Sequence, residues 1–119
     1  MANTVTQLTT AFTGGPNPPK WVLNIDADTC SSAFTIKDAV SGKRHWIEKV
    51  NVTGKFAGTE WYQILDGNNT IIGNAILATG VPWQHQYQVA ICGTAGNTIS
   101  IKTKSDIAFH CIVEGFTDP

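Results

Sequence analysis

Charge is what this chain has least of. Only 14% of its residues are Asp, Glu, Lys or Arg, against roughly 25% in an average soluble domain, so Thr, Asn, Gln and Ser must do most of the wetting. Eight basic and nine acidic side chains nearly cancel. The cations Lys20, Lys37, Lys43, Arg44, Lys49, Lys55, Lys102 and Lys104 are scattered, which leaves no basic stripe for phosphates and makes nucleic acid an unexpected partner. Apolar runs are only a few residues long, far short of the roughly 20 that span a bilayer, and no charged segment leads into an apolar one at the start. No membrane partner and no export signal are expected. Cysteine is sparse as well: Cys30, Cys92 and Cys111 are odd in number and lack CxxC spacing, which fits neither a disulfide framework nor a zinc site. Buried, reduced thiols in a protein made in a cytosol are expected, with Cys92 and Cys111 the pair whose strands could be neighbours.

What is present is a succession of short β-rich runs broken by turn residues. At 119 residues the chain has the size of one domain with one core. Trp21-Val22-Leu23-Asn24-Ile25 is the first run, closed by a turn at Asp26-Ala27-Asp28. A weaker one lies in 33–40, and a run over 45–53 ends at Gly54. Residues 60–65 and 70–78 flank Asp66-Gly67-Asn68-Asn69, where the Asp-Gly pair predicts a hairpin. From 83 to 92, Trp83, His85, Tyr87, Val89 and Ile91 alternate with Gln84, Gln86, Gln88 and Ala90, the period of a strand with one dry face. After Gly93-Thr94-Ala95-Gly96-Asn97, residues 98–104 place Ile99, Ile101 and Thr103 inward, and 107–114 place Ile107, Phe109, Cys111 and Val113 inward. The expectation is an all-β fold, a jelly-roll-like antiparallel β-sandwich of about eight strands over residues 20–119. Residues 1–19 read as an extended N-terminal arm and Pro-rich loop, whose Val5, Leu8 and Phe12 carry enough apolar surface to dock on a neighbour or on their own domain.

No constellation for catalysis stands out. His45, His85 and His110 lie in three different runs without HxH or HExxH spacing, and His85 is expected as a half-buried strand residue. Asp26-Ala27-Asp28 begins like a calcium loop but lacks the later ligands and the mid-loop Gly. The sequons Asn51-Val52-Thr53 and Asn68-Asn69-Thr70 need a secretory route that nothing in the chain signals. Neither a metal nor another cofactor is expected, and the chain is read as a binding or structural module and not an enzyme. Trp21, Trp46, Trp61 and Trp83 are a heavy load for this length and are expected mostly in the core. Trp46 and Trp61, flanked by polar residues, are the two that could face a partner or stack on a sugar.

Gly42-Lys43-Arg44-His45-Trp46-Ile47, the hairpin from Ile64 to Gly73, the run from Cys92 to Thr103, and Ile112-Val113-Glu114-Gly115-Phe116 form a layout over roughly residues 42–116. It resembles small bacteriophage β-sandwich structural proteins of the capsid decoration, or cement, type. The resemblance implies a virion protein on the capsid surface, made in the host cytoplasm, which assembles as a homotrimer and stabilises the phage head by binding the major capsid protein. Val5, Leu8, Phe12, Trp46 and Trp61 are the expected partner-binding residues. The alternatives are a tail or neck fibre receptor-binding domain and a carbohydrate-binding module; Met1 and Pro119 read as the ends of a complete short gene product, which weighs against a module of a larger enzyme.

Overall fold

The computed structural model describes residues 3–7, 20–54, 60–77 and 83–118. Nine strands occur among them: β1 (Thr4–Gln7), β2 (Lys20–Ala27), β3 (Phe34–Lys37), β4 (His45–Gly54), β5 (Glu60–Asp66), β6 (Asn69–Leu77), β7 (Trp83–Cys92), β8 (Ile99–Thr103) and β9 (Phe109–Thr117). One sheet has the order β1-β2-β9-β4-β7 and the other β3-β8-β5-β6. Every resolved pairing is antiparallel. Without β1, neighbours pair as 2 with 9, 3 with 8, 4 with 7 and 5 with 6, a long hairpin rolled into two sheets. That is jelly-roll connectivity, and β1 is the one strand added to it.

The alternation of the strands builds the core. Trp21, Leu23 and Ile25 of β2, Cys111 and Val113 of β9, and Ile47, Val50 and Val52 of β4 are buried from one sheet. Ile36, Ile99, Ile101, Tyr62, Ile64 and Ile72 are buried from the other. Burial of each large side chain contributes up to about 1.5–3 kcal/mol. Ile47 and Val50 are three apart yet both face inward, because the ladder shifts register between Ile47 and Lys49. A bulge takes up the extra residue. The hairpin between β5 and β6 turns at Gly67, whose φ of 59° is left-handed and whose added Cβ would lie 2.9 Å from Asn97 Nδ2.

Several expectations change. The turn after the first run starts later, since Asp26 and Ala27 belong to β2 and pair with His110 and Phe109; Ala27 is buried, which holds the strand together to that point. Asp28 and Thr29 then donate backbone N–H to Asn3 Oδ1 at 3.0 and 3.1 Å, so this bend anchors the start of β1. The arm therefore docks on its own domain over Thr4–Gln7, with Val5 opposite Ile25 and packed on the core. Leu8 and Phe12 lie outside the described residues.

The dry face expected for β7 is also revised. Val89 is 82% exposed and His85 is exposed, while Tyr87 and Ile91 are half-buried against the core. The partners of β4 jump from Ile91 to Gln86 between Ile47 and Lys49, which takes 87–90 out of the ladder at the sheet edge. Cys30 and Cys111 are buried free thiols, but Cys92 is exposed. β4 separates the strands of Cys92 and Cys111, which are not neighbours.

Candidate functional site

Register places the outward side chains of the five-stranded sheet in rows across the strands. Lys20, Phe116, Trp46 and Cys92 form one row, and Val22, Glu114, Lys49 and Gln86 the next. Thr6, Asn24, Ile112, Asn51 and Gln84 form a third, and Thr4, Asp26, His110 and Thr53 a fourth. Five strands about 4.8 Å apart make this face about 19 Å wide. It is mostly polar, with Val22 and Ile112 among the polar side chains and an aromatic pair at one end.

That pair is Trp46 and Phe116, with ring centroids 5.5 Å apart and planes at 11°. They face each other because they are register partners on β4 and β9. Arg44, two residues earlier and just before β4, lies 5.0 Å from the Trp46 ring centroid, a cation–π contact. Asp118 gathers the group: its Oδ1 accepts the Trp46 indole N–H at 2.9 Å, and its Oδ2 accepts Arg44 Nε at 2.8 Å and the Arg44 backbone N–H at 3.0 Å. The Asp118 N–H returns a bond to the Arg44 carbonyl at 3.0 Å. The hydrogen bonds from Arg44 and Trp46 hold the Asp118 carboxyl down at about 2, so it is charged at all ordinary pH.

Two further ion pairs lie on the face, while Asp26 stands exposed at its far end. Lys20 Nζ lies 3.2 Å from Glu48, and Lys49 Nζ 3.7 Å from Glu114. His110 bonds Asn24 Oδ1 on the neighbouring strand. Each pair is solvent-exposed enough to add little stability, but together they leave the face nearly neutral.

Directly beneath the aromatic end lies a buried polar chain. The Trp21 indole N–H donates to Thr117 Oγ1 at 3.1 Å, and Thr117 Oγ1 lies 2.7 Å from His45 Nδ1. His45 Nε2 lies 2.7 Å from the Asp38 carbonyl, which can only accept, so Nε2 carries the proton and Nδ1 accepts the Thr117 hydroxyl. His45 is 1% exposed, and burial lowers its pKa, aided by Lys37 and opposed by the Asp38 carbonyl, Asp66 and Asp118. The carbonyl of His45 accepts the Gly93 N–H at 2.8 Å, and the Asp66 carboxylate accepts the Thr94 N–H at 2.9 Å. The turn after β7 is thereby pinned to the start of β4 and the end of β5.

Of the residues expected from sequence to meet a partner, Trp46 sits at this site. Trp61 is half-buried on the outward face of the other sheet, near Gln63 and the opposite Lys102, and no described residue stacks on its ring or bonds its indole N–H. Trp21 is core, as expected for most of the tryptophans. The side chain of Trp83 lies outside the described residues. Val5 lines a cleft of about 350 Å³ between β1, β2 and β3, floored by Leu23 and Ile36 and bordered by Lys37 and Val40. Of the histidines, His45 and not His85 is the enclosed one. Among the described residues, no group of three or more His, Cys, Asp or Glu could hold a metal ion. Phe116, Arg44 and Asp118 escaped the sequence reading; the only signal was Phe116 continuing the period of His110, Ile112 and Glu114.

No family model and no curated protein matches this chain. Among solved structures it is similar to the CBM22-1 and GH10 modules of Clostridium thermocellum xylanase 10B, complexed with xylohexaose, at TM-score 0.47 and 15% identity over 96% of this chain. It spans 24% of that chain's length. A Bacillus endospore appendage protein of disulfide-linked pili is similar at TM-score 0.44 and 15% identity, covering 100% of this chain and 93% of that one. The CBM22-1 xylan-binding domain of Paenibacillus barcinonensis Xyn10C is similar at TM-score 0.41 and 12% identity, with 98% and 80% covered. All three similarities are of architecture.

Proposed function

We propose that this domain is a non-catalytic binding module that holds an uncharged glycan on the outer face of its five-stranded sheet. The observation that carries the reading is the Trp46–Phe116 stack opening onto rows of Asn, Gln and paired charges. Phe116 covers one face of Trp46, and Arg44 lies over its ring. The C–H face of a pyranose would therefore pack on the side of Phe116 turned away from Trp46, or on Trp46 in place of the Arg44 side chain, where the negative quadrupole of the ring complements it. Planar amides and carboxylates such as Asn51, Asn24, Gln84 and Glu114 can each address adjacent hydroxyls. Neutralised cations favour a neutral sugar over an acidic one. Affinity electrophoresis against xylan, mannan and hydroxyethylcellulose tests this. Trp46→Ala is expected to weaken retention by about tenfold or more, the worth of one aromatic contact, with Trp61→Ala near wild type. Loss of binding on Trp61→Ala alone would move the site to the other sheet.

A second reading follows from the resemblance to phage decoration proteins: a trimer that binds the major capsid protein at the capsid surface. The observation in its favour is that Thr4–Gln7 forms an edge strand beside β2, which among the described residues leaves one side of that strand open to pair with a neighbouring subunit. Light scattering and co-sedimentation with empty capsids test it; a monomer that ignores capsids removes it.

A further inference from the structure

The end of β9 is interleaved with the start of β4. Phe116 stacks on Trp46, Thr117 bonds His45, and Asp118 bonds Trp46 and Arg44. Three consecutive residues thus alternate between the outer platform and the buried histidine, so neither can be disturbed without the other. His45 also holds the segment after β3 through the Asp38 carbonyl, and Trp21 contacts its ring edge-on at 6.3 Å.

We propose that His45 is an acid-operated latch on the Trp46–Phe116 platform: when its ring takes up a proton, the end of β9 and the 38–44 segment loosen and the platform loses its fixed geometry. Its role in binding rests on the glycan reading above; its mechanism rests on the hydrogen-bond geometry alone. Neutral His45 satisfies both ring nitrogens, Nε2–H to Asp38 and Nδ1 from the Thr117 hydroxyl. A protonated ring presents N–H on both sides, so the Thr117 hydroxyl must turn its own proton away while still accepting from Trp21. The new charge is almost wholly enclosed, and a buried charge costs several kcal/mol unless it is well paired or reaches water. Lys37 from β3 opposes it; Asp66 at the end of β5 and Asp118 after β9 favour it. Asp118 is already committed to Arg44 and Trp46, and Asp66 holds the Thr94 amide. Hydration of the imidazolium through the exposed 38–44 segment is then the least costly response. Phe116 and Asp118 move with Thr117, and a platform that must be re-ordered on binding binds more weakly.

The test uses the whole domain by NMR between about pH 5 and about pH 8, without ligand, following the His45 ring and the Trp21 and Trp46 indole N–H signals. The Trp46 signal is expected to move with the midpoint of His45, and its exchange with solvent to quicken below it. A Trp46 signal that stays flat while His45 titrates, or a His45 that remains neutral until the whole domain unfolds, would overturn the proposal. His45→Gln should make the Trp46 signal independent of pH. Should that variant not fold, Thr117→Val leaves His45 in place and should show the acid-like Trp46 signal at about pH 7.5; a wild-type signal there also overturns the latch. Retention on xylan and hydroxyethylcellulose should weaken about three- to tenfold from about pH 7.5 to about pH 5, as the competent fraction falls. If neither polymer is retained at any pH, the glycan reading fails alone, and the latch is judged by the indole signals.

Discussion

β4 and β7 lie side by side in one sheet and both alternate apolar with polar residues, yet only β4 buries its apolar face. Ile47, Val50 and Val52 are fully enclosed, whereas on β7 His85 and Val89 are exposed and Tyr87 and Ile91 only half-buried. β4 has β9 on one side and β7 on the other, while β7 is the edge. An edge strand can slip or bulge where a central one is held by two ladders. Alternation therefore reports that a strand has two faces; its place in the sheet decides how well the dry one is covered.

The strongest way to break the contrast is at the centre. Gly115 on β9 lies where an added Cβ would meet the Trp46 carbonyl at 2.0 Å and the Trp21 ring at 2.7 Å. Gly115→Ala is expected to cost about 3 kcal/mol or more, the upper end of overpacking, because backbone must move. Urea unfolding would check it, and a loss under about 1 kcal/mol would mean that β4 and β9 are less tightly held than the register implies.

Acid should act on the same end. His45 has a folded-state pKa below its unfolded value because of burial. Its contribution is therefore complete above about pH 6.5 and is lost as pH falls through the folded value. One such site gives a slope of at most about 1.4 kcal/mol per pH unit. Thermal melts of wild type and His45→Gln across this range should differ in slope, with the variant flatter.

The smallest effects separate the two strands directly. Ile47→Val removes one enclosed methylene and should cost about 0.5–1.5 kcal/mol. Val89→Ser removes more apolar surface but from an exposed position, and should stay within about 0.5 kcal/mol. Equal costs in chemical unfolding would show that something covers β7 in solution.

Much of the fold was legible in advance because it depends on local chemistry. The Asp66 to Asn69 turn follows from what Asp-Gly permits, and the inward sets Ile99, Ile101, Thr103 and Phe109, Cys111, Val113 follow from period two. The candidate site was less so. Trp46 stood out by its neighbours, but Asp118 and Arg44 matter only because the last strand runs antiparallel to β4 and brings residues more than 70 positions apart into contact.

The order of apolar, polar and turn residues by itself determined that this chain forms antiparallel strands around one core, since strand period and turn geometry are properties of a few adjacent residues. Only the tertiary structure decided which histidine is enclosed, which tryptophan is core and which is platform, that β1 closes on its own domain, and that Cys92 is kept from Cys111 by an intervening strand. Those outcomes depend on sheet order and register, which are set by pairing between distant segments.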